Sequence, residues 1–228
     1  MGCGSSLEFT MDKEKVLSSQ FASSTPICWN IPGNTFTIVR DKTRKKEKIG
    51  LVQDHLGNVL LEIAERTKLK GFNPIGFTEP STGKTALLLC NLQFGNFWTK
   101  KPTIFALYTE DNLNGGDRET TPTGQSMYRF GTIMLPISRK GGCDYYAGKS
   151  ETVSLRAKIS NMTGTKISIM TSDGVSPGAV IENMSYPLHL YGTCTFAPGI
   201  DPLVSFFIAV VCVCMNTGGA ASSGAVFV

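Results

Sequence analysis

Residues 200–215, which read IDPLVSFFIAVVCVCM, decide how the rest of this chain folds. Asp201 can cap a helix, Pro202 suits its first turn, and the glycines that follow suit its exit. The run Leu203–Met215 is apolar on every side, so it belongs either in a protein core or in a membrane. Its length as a helix, about 20 Å, is short of the ~30 Å hydrocarbon core of a bilayer. We therefore predict a buried central helix at about 202–216, with a strand as the alternative because valine and isoleucine are abundant there.

Upstream of this run, short β-type segments alternate with clusters of glycine, asparagine and aspartate. The clearest hairpin joins Ile49–Gln53 to Val59–Ala64 through DHLGN at residues 54–58. The other predicted strands are Thr35–Val39, Thr85–Gln93, Thr103–Thr109, Ser126–Ser138, Thr152–Ile159, Lys166–Met170, Gly178–Glu182 and Leu188–Phe196. Many short strands at this spacing predict a sandwich or barrel, and residues 112–124 are expected to form a mobile polar loop.

Three stretches resemble the phospholipid scramblases, the LURP-one proteins and the tubby carboxy-terminal domains. They are Leu51–Ile63 (LVQDHLGNVLLEI), Thr171–Glu182 (TSDGVSPGAVIE) and Tyr191–Met215 (YGTCTFAPGIDPLVSFFIAVVCVCM). The resemblance implies a mainly β fold, in which a closed antiparallel barrel surrounds a hydrophobic carboxy-terminal helix. It places the barrel domain at residues 27–228, after a flexible leader at residues 1–26.

The first six residues, MGCGSS, match a signal for fatty acylation. Gly2 is the expected site of a myristoyl group, and Cys3 is then placed for a palmitoyl group. Both are needed for firm attachment, because one myristoyl chain binds a bilayer only weakly and reversibly. We expect the leader to hold the protein at the cytoplasmic face of a membrane, with the plasma membrane as the first choice.

Residues 40–48, RDKTRKKEK, carry a charge of +4, which equals the formal net charge of the whole chain. The formal charges of all the other residues therefore sum to zero. Each Lys or Arg near an acidic leaflet contributes about 1 kcal/mol, so the run predicts contact with anionic lipid, including phosphoinositides. A solvated hairpin tip is the alternative, and nucleic acid is not expected because no aromatic residues interleave the charges. The predicted lipid contacts are Arg40, Lys42, Arg44, Lys45, Lys46 and Lys48.

Motifs for catalysis or for a metal or other cofactor are weak. STGKT at residues 81–85 imitates the end of a phosphate-binding loop, but Thr78 stands where that loop requires glycine, which favours a turn. His55 and His189 have no partner at metal-ligand spacing, and the seven cysteines include no CxxC pair. Asp201 is predicted to cap the helix rather than bind calcium, which usually needs several carboxylates.

Three functions are compatible with these residues. We expect a non-enzymatic, acylated barrel that binds anionic phospholipid or acts as an adaptor, with no cofactor. The second hypothesis is a lipid scramblase in which Leu203–Met215 inserts into the bilayer. The third is a structural component that docks onto a larger assembly.

Overall fold

A computed structural model of the protein describes residues 13–17, 31–40, 48–65, 74–95, 100–136, 142–159, 166–174, 176–185 and 191–216. Its elements in chain order are α1 (Lys13–Leu17), a short 3-10 helix (Pro32–Asn34), β1 (Thr35–Val39), β2 (Lys48–Gln53), β3 (Val59–Glu65), β4 (Ile75–Thr78), β5 (Thr85–Gln93), β6 (Thr103–Thr109), β7 (Arg118–Thr120), β8 (Ser126–Leu135), β9 (Gly142–Ala147), β10 (Leu155–Ile159), β11 (Lys166–Thr171), β12 (Pro177–Ser185), β13 (Tyr191–Phe196) and α2 (Pro202–Asn216).

The strands form one antiparallel sheet that closes on itself. Hydrogen-bonded neighbours follow the order β6-β5-β4-β3-β2-β1-β13-β12-β11-β10-β9-β8. β6 and β8 complete the ring, with Thr103 opposite Leu135 and Thr109 opposite Tyr128. The three-residue β7 pairs with the start of β8 and lies outside the ring. The predicted closed antiparallel barrel is confirmed, with a wall of twelve strands.

The apolar helix α2 runs through the interior of this barrel. No side chain from Leu203 to Cys212 is more than 1% exposed. The helix packs against β8, β9, β10, β12 and β13, and its Phe206 also meets β1 and β4. Contact with strands all around the ring is possible only from inside it. The prediction of a buried central helix is confirmed, and burial on every side explains why the helix has no polar face.

An aromatic cluster joins the amino-terminal strands to this helix. The ring of Phe77 on β4 lies 5.2 Å from that of Phe206 and 4.7 Å from that of Phe207. Phe36 on β1 lies 6.4 Å from Phe206 and 6.3 Å from Phe196 on β13. Tilted and edge-on pairs of this kind add about 0.5–1.5 kcal/mol each beyond the burial of their surface. The core is therefore built between helix and wall rather than within either alone.

Three strands are absent from the sequence prediction. β4 is short and contains Gly76, β9 contains Gly142 and Asp144, and β7 lies in the predicted polar loop at 112–124. The propensities of these residues disfavour strands, but hydrogen-bonded neighbours on both sides hold β4 and β9 in place. The expectation of one long loop at 112–124 is wrong, because β7 and a tight turn at 121–125 occupy its second half.

Part of the predicted leader also has structure. Lys13–Leu17 forms α1, which packs against β12 and β13, and the side chain of Val16 is fully buried. The predicted leader therefore includes a short helix that packs on the barrel, and the rest of residues 1–26 lies outside the described residues. The sequence signal was weak, since one turn of helix with one apolar contact has no periodicity to read.

Candidate functional site

The antiparallel order sorts the connections between elements into two sets, one at each end of the barrel. The first set comprises residues 40–47, 66–74, 94–102, 136–141, 160–165 and 186–190. The second comprises residues 54–58, 79–84, 110–125, 148–154, 172–176 and 197–201. Because α2 follows the last connection of the second set, it starts at that end and runs toward the first.

The sequences of the two sets of connections carry opposite net charge. The first set contains twelve Lys and Arg against two Asp and Glu, a net charge of +10. The second contains nine Asp and Glu against three Lys and Arg, a net charge of −6. We call the two ends to which these sets belong the basic end and the acidic end. Charges of one sign gathered on one side of a protein attract an oppositely charged surface and orient the molecule toward it.

Cationic and large apolar side chains are both exposed on the described part of the basic end. The exposed cations there are Arg40, Lys100 and Lys101. The exposed large apolar side chains are Leu92, Phe94 and Tyr191, which are 41–45% accessible. Next to them, Gln93 Nε2 donates to the Pro102 carbonyl at 2.8 Å, which holds the two sides of this connection together. Apolar residues beside cations are the composition that binds the interface of an anionic bilayer.

The acidic end is built of tight, self-bonded turns. At the β2–β3 turn, Asp54 Oδ1 accepts hydrogen bonds from the backbone N–H groups of Leu56 at 2.8 Å and Asn58 at 2.9 Å. A further hydrogen bond from the Asn58 side chain is the main cause that lowers the pKa of Asp54. Gly57 takes a φ of 84°, which glycine adopts readily. The hairpin turn predicted at 54–58 is confirmed.

The segment that imitates a phosphate-binding loop is the β4–β5 turn. Gly83 N–H donates to the Glu79 carbonyl at 2.9 Å, and Thr82 Oγ1 donates to the Glu79 carboxylate at 2.8 Å. Lys84 Nζ lies 2.6 Å from Asp111 Oδ2, and this hydrogen bond is the main cause that raises the pKa of Lys84. The predicted turn is confirmed, and its lysine is engaged by a carboxylate.

A polar cluster on the outer wall was not predicted. The Arg129 guanidinium lies 5.1 Å over the ring of Tyr108, donates to its hydroxyl at 3.2 Å and forms an ion pair with Glu119 of β7. Burial raises the pKa of Tyr108 to about 12, and burial also raises the pKa of the nearby Cys90 thiol to about 12. These contacts hold β7 against the wall. The residues in these contacts are at least ten positions apart in sequence, so no local motif predicts the contacts.

The predicted acylation sites, Gly2 and Cys3, lie outside the described residues. Of the predicted lipid contacts, Arg40 is described and exposed at the basic end, and Lys48 is the first residue of β2. The others, Lys42, Arg44, Lys45 and Lys46, lie outside the described residues. Sequence reasoning that considered only this run missed the Lys and Arg of the other connections at the same end.

Asp201 is the N-cap of α2. Its Oδ1 accepts hydrogen bonds from the backbone N–H groups of Leu203 at 2.9 Å and Val204 at 3.1 Å, and Pro202 is the first helical residue. Its backbone carbonyl accepts a hydrogen bond from Ser205 Oγ at 3.1 Å. In the described part of the chain, no group of three or more His, Cys, Asp or Glu could hold a metal ion. No helix among these residues is long and apolar enough to cross a membrane.

Comparison with known proteins adds one structural similarity. No protein-family model matches the chain, and no curated protein matches it in sequence. A protein of Arabidopsis thaliana with a solved X-ray structure is similar over 91% of this chain and 97% of its own, at 11% sequence identity and a TM-score of 0.48. The fold described above rests on the strand pairings of the chain itself.

Proposed function

We propose that this chain is a non-enzymatic barrel of the type found in phospholipid scramblases, LURP-one proteins and tubby carboxy-terminal domains, and that it binds anionic phospholipid. Acyl groups on Gly2 and Cys3 hold it at the cytoplasmic face of the plasma membrane, where it acts as an adaptor. The observation that carries the proposal is that the connections assigned by the strand order to one end have a net charge of +10 in sequence, and those at the other end −6.

The size of the charge separation makes the basic end the surface that turns toward an acidic leaflet. Twelve Lys and Arg against two Asp and Glu is a far larger imbalance than the +4 of residues 40–48 alone. At about 1 kcal/mol for each cation that reaches the leaflet, only a few contacts are needed to supplement a single acyl chain. Exposed Phe94 and Tyr191 add apolar surface at the same end.

The position of α2 favours an adaptor over a scramblase. For Leu203–Met215 to insert into a bilayer, the helix would have to leave the barrel, and its contacts with Phe36 and Phe77 would be lost. Removing one buried phenylalanine side chain from a core typically costs about 3–5 kcal/mol, and extrusion of α2 would remove many such contacts together.

Vesicle binding by the full-length, N-myristoylated protein tests the proposal. On phosphatidylcholine vesicles that contain phosphatidylserine, Lys101→Gln at the basic end should weaken binding about fivefold, from the loss of about 1 kcal/mol. The matched change at the acidic end, Lys149→Gln, should have no effect. Salt should weaken wild-type binding, because the contacts are exposed charges. Equal effects of the two substitutions would contradict the proposal.

A second experiment tests the anchor separately. In cells, the wild-type protein should be found with membranes and carry an acyl mass on its amino terminus, whereas Gly2→Ala should remain in the soluble fraction. Retention of Gly2→Ala on membranes together with an unmodified wild-type amino terminus would rule out acylation as the anchor.

A further inference from the structure

The outer wall of the barrel is covered where β12 and β13 meet. Phe36 faces inward, since it packs on Phe206 of α2, so its neighbour Thr35 faces outward. Thr35 pairs with Thr195, their hydroxyl oxygens lie 3.4 Å apart, and Thr195 pairs in turn with Val180. Both Thr195 and Val180 therefore face outward, yet they are 1% and 0% exposed. An element outside the barrel must exclude water from them.

α1 is an element that packs at this place. It lies against β12 and β13, with Val16 fully buried and the adjacent Leu17 45% exposed, so Val16 points at the wall and Leu17 away from it. Lys13 Nζ forms an ion pair with Glu182 Oε2 at 3.1 Å, and Lys166 Nζ lies 3.5 Å from the other oxygen of the same carboxylate. One buried valine contributes about 1.5–3 kcal/mol, whereas a half-exposed ion pair contributes up to about 1 kcal/mol.

The strand register places the start of α1 at the basic end. Glu182 pairs with Lys166, the first residue of β11, and with Thr193, near the start of β13. Both strands start at the basic end, so Lys13 is held there too. The twelve residues that precede Lys13 can span at most about 40 Å. The predicted acylation sites are thus tethered within that distance of the basic end.

We propose that α1 is a docking element that joins the lipid anchor to the basic end, so that both engage the same bilayer and the barrel stands with its acidic end away from the membrane. This inference rests on the proposed function. A tether of fixed origin raises the effective concentration of the basic end at the leaflet once the acyl chain has inserted. Without the docking, only the charge of the basic end would orient the barrel, and the anchor would not strengthen that orientation.

Lysine footprinting on vesicles tests the orientation with residues the protein already has. The N-myristoylated chain is mixed with vesicles of phosphatidylcholine and phosphatidylserine, treated with a sulfonated acetylating reagent, and analysed by mass spectrometry. For wild type, vesicles should slow acetylation of Lys101 severalfold and leave Lys149 unchanged. The variant Val16→Asp breaks the docking, and Leu17→Asp is its matched control on the exposed face of the same helix turn.

The two variants should separate binding from orientation. Leu17→Asp should behave as wild type, whereas Val16→Asp should still sediment with vesicles but lose part of the selective protection of Lys101. A urea unfolding curve checks that the Val16→Asp barrel is folded. If it is not, Lys13→Ala serves in its place and should lose part of the protection. Full protection of Lys101 in the folded docking variant would overturn the inference, while failure of wild type to bind anionic vesicles would overturn the proposed function itself.

Discussion

Replacing the capping aspartate of the central helix tests how the barrel and helix depend on each other. Asp201 is 3% exposed, and its Oδ1 accepts two backbone hydrogen bonds, from Leu203 at 2.9 Å and from Val204 at 3.1 Å. In the alanine variant both N–H groups lose this acceptor in the interior of the protein, where water is largely excluded. In the asparagine variant an acceptor oxygen remains in the same place, without the negative charge.

The magnitude follows from these contacts. Losing an N-cap costs about 1 kcal/mol, and a buried N–H left without a partner costs roughly 1–3 kcal/mol more. We expect Asp201→Ala to lower the free energy of unfolding by about 2–4 kcal/mol. Asp201→Asn should lose about 1 kcal/mol or less, because asparagine caps helices about as well as aspartate and only the attraction of the charge to the helix dipole is removed.

Urea unfolding followed by far-UV circular dichroism measures both variants, with the midpoint compared at constant slope. Equal losses in Asp201→Asn and Asp201→Ala would refute the capping role of the oxygen acceptor, as would an alanine variant as stable as wild type. The same curves are recorded with added calcium and with a chelator, and the midpoints should not change. A calcium-dependent rise in the wild-type midpoint that Asp201→Asn abolishes would identify a metal ligand instead.

The packing of side chains on the barrel strands leads to two further predictions, one for a glycine substitution and one for the dependence of stability on pH. A Cβ at Gly131 would clash with two ring carbons and the hydroxyl oxygen of Tyr145, so Gly131→Ala should lower the midpoint of thermal unfolding. Gly116→Ala should leave that midpoint unchanged, because a Cβ there meets nothing within 4 Å. Equal midpoints for the two variants would contradict the close packing of Tyr145 on Gly131. Burial raises the pKa of Cys90 and of Tyr108 to about 12, from ordinary values of 9.0 and 10.0. The folded state therefore keeps protons that the unfolded chain loses above these ordinary values. Stability should be complete below pH 9 and fall between pH 9 and 12, by up to about 1.4 kcal/mol per pH unit for each group. Tyr108→Phe should show a shallower fall in the urea midpoint from pH 10 upward, and an unchanged slope would count against the burial of its hydroxyl.

The parts of the fold that could be predicted from sequence are those with a strong local signal. The central helix was predictable because Asp201-Pro202 marks its start, and because an apolar run too short to span a bilayer must be buried in the protein core. The β2–β3 hairpin was predictable because Asp54 and Gly57 satisfy a tight turn without help from the rest of the chain. Both features depend on residues within a few positions of one another.

The parts that could not be predicted depend on partners distant in sequence. β4 and β9 are strands because neighbouring strands complete their hydrogen bonds, in spite of glycine and aspartate. The contact of Arg129 with Tyr108 joins two strands across the outer wall, and Val16 is buried by strands that follow it by more than 160 residues. None of these contacts leaves a periodic trace in the sequence.

The features of the candidate site also divide into those that local sequence predicts and those that depend on the tertiary structure. By itself the sequence determined the apolar helix, the β-type segments, the acylation motif at Gly2 and Cys3, and the basic run at residues 40–48. It also determined that the charges outside residues 40–48 sum to zero. Only the strand order of the barrel decided that the two sets of connections with opposite net charge belong to opposite ends. The antiparallel order of the barrel sends alternate connections to opposite ends, and charges far apart along the chain are thereby gathered by sign, which no local pattern of residues can reveal.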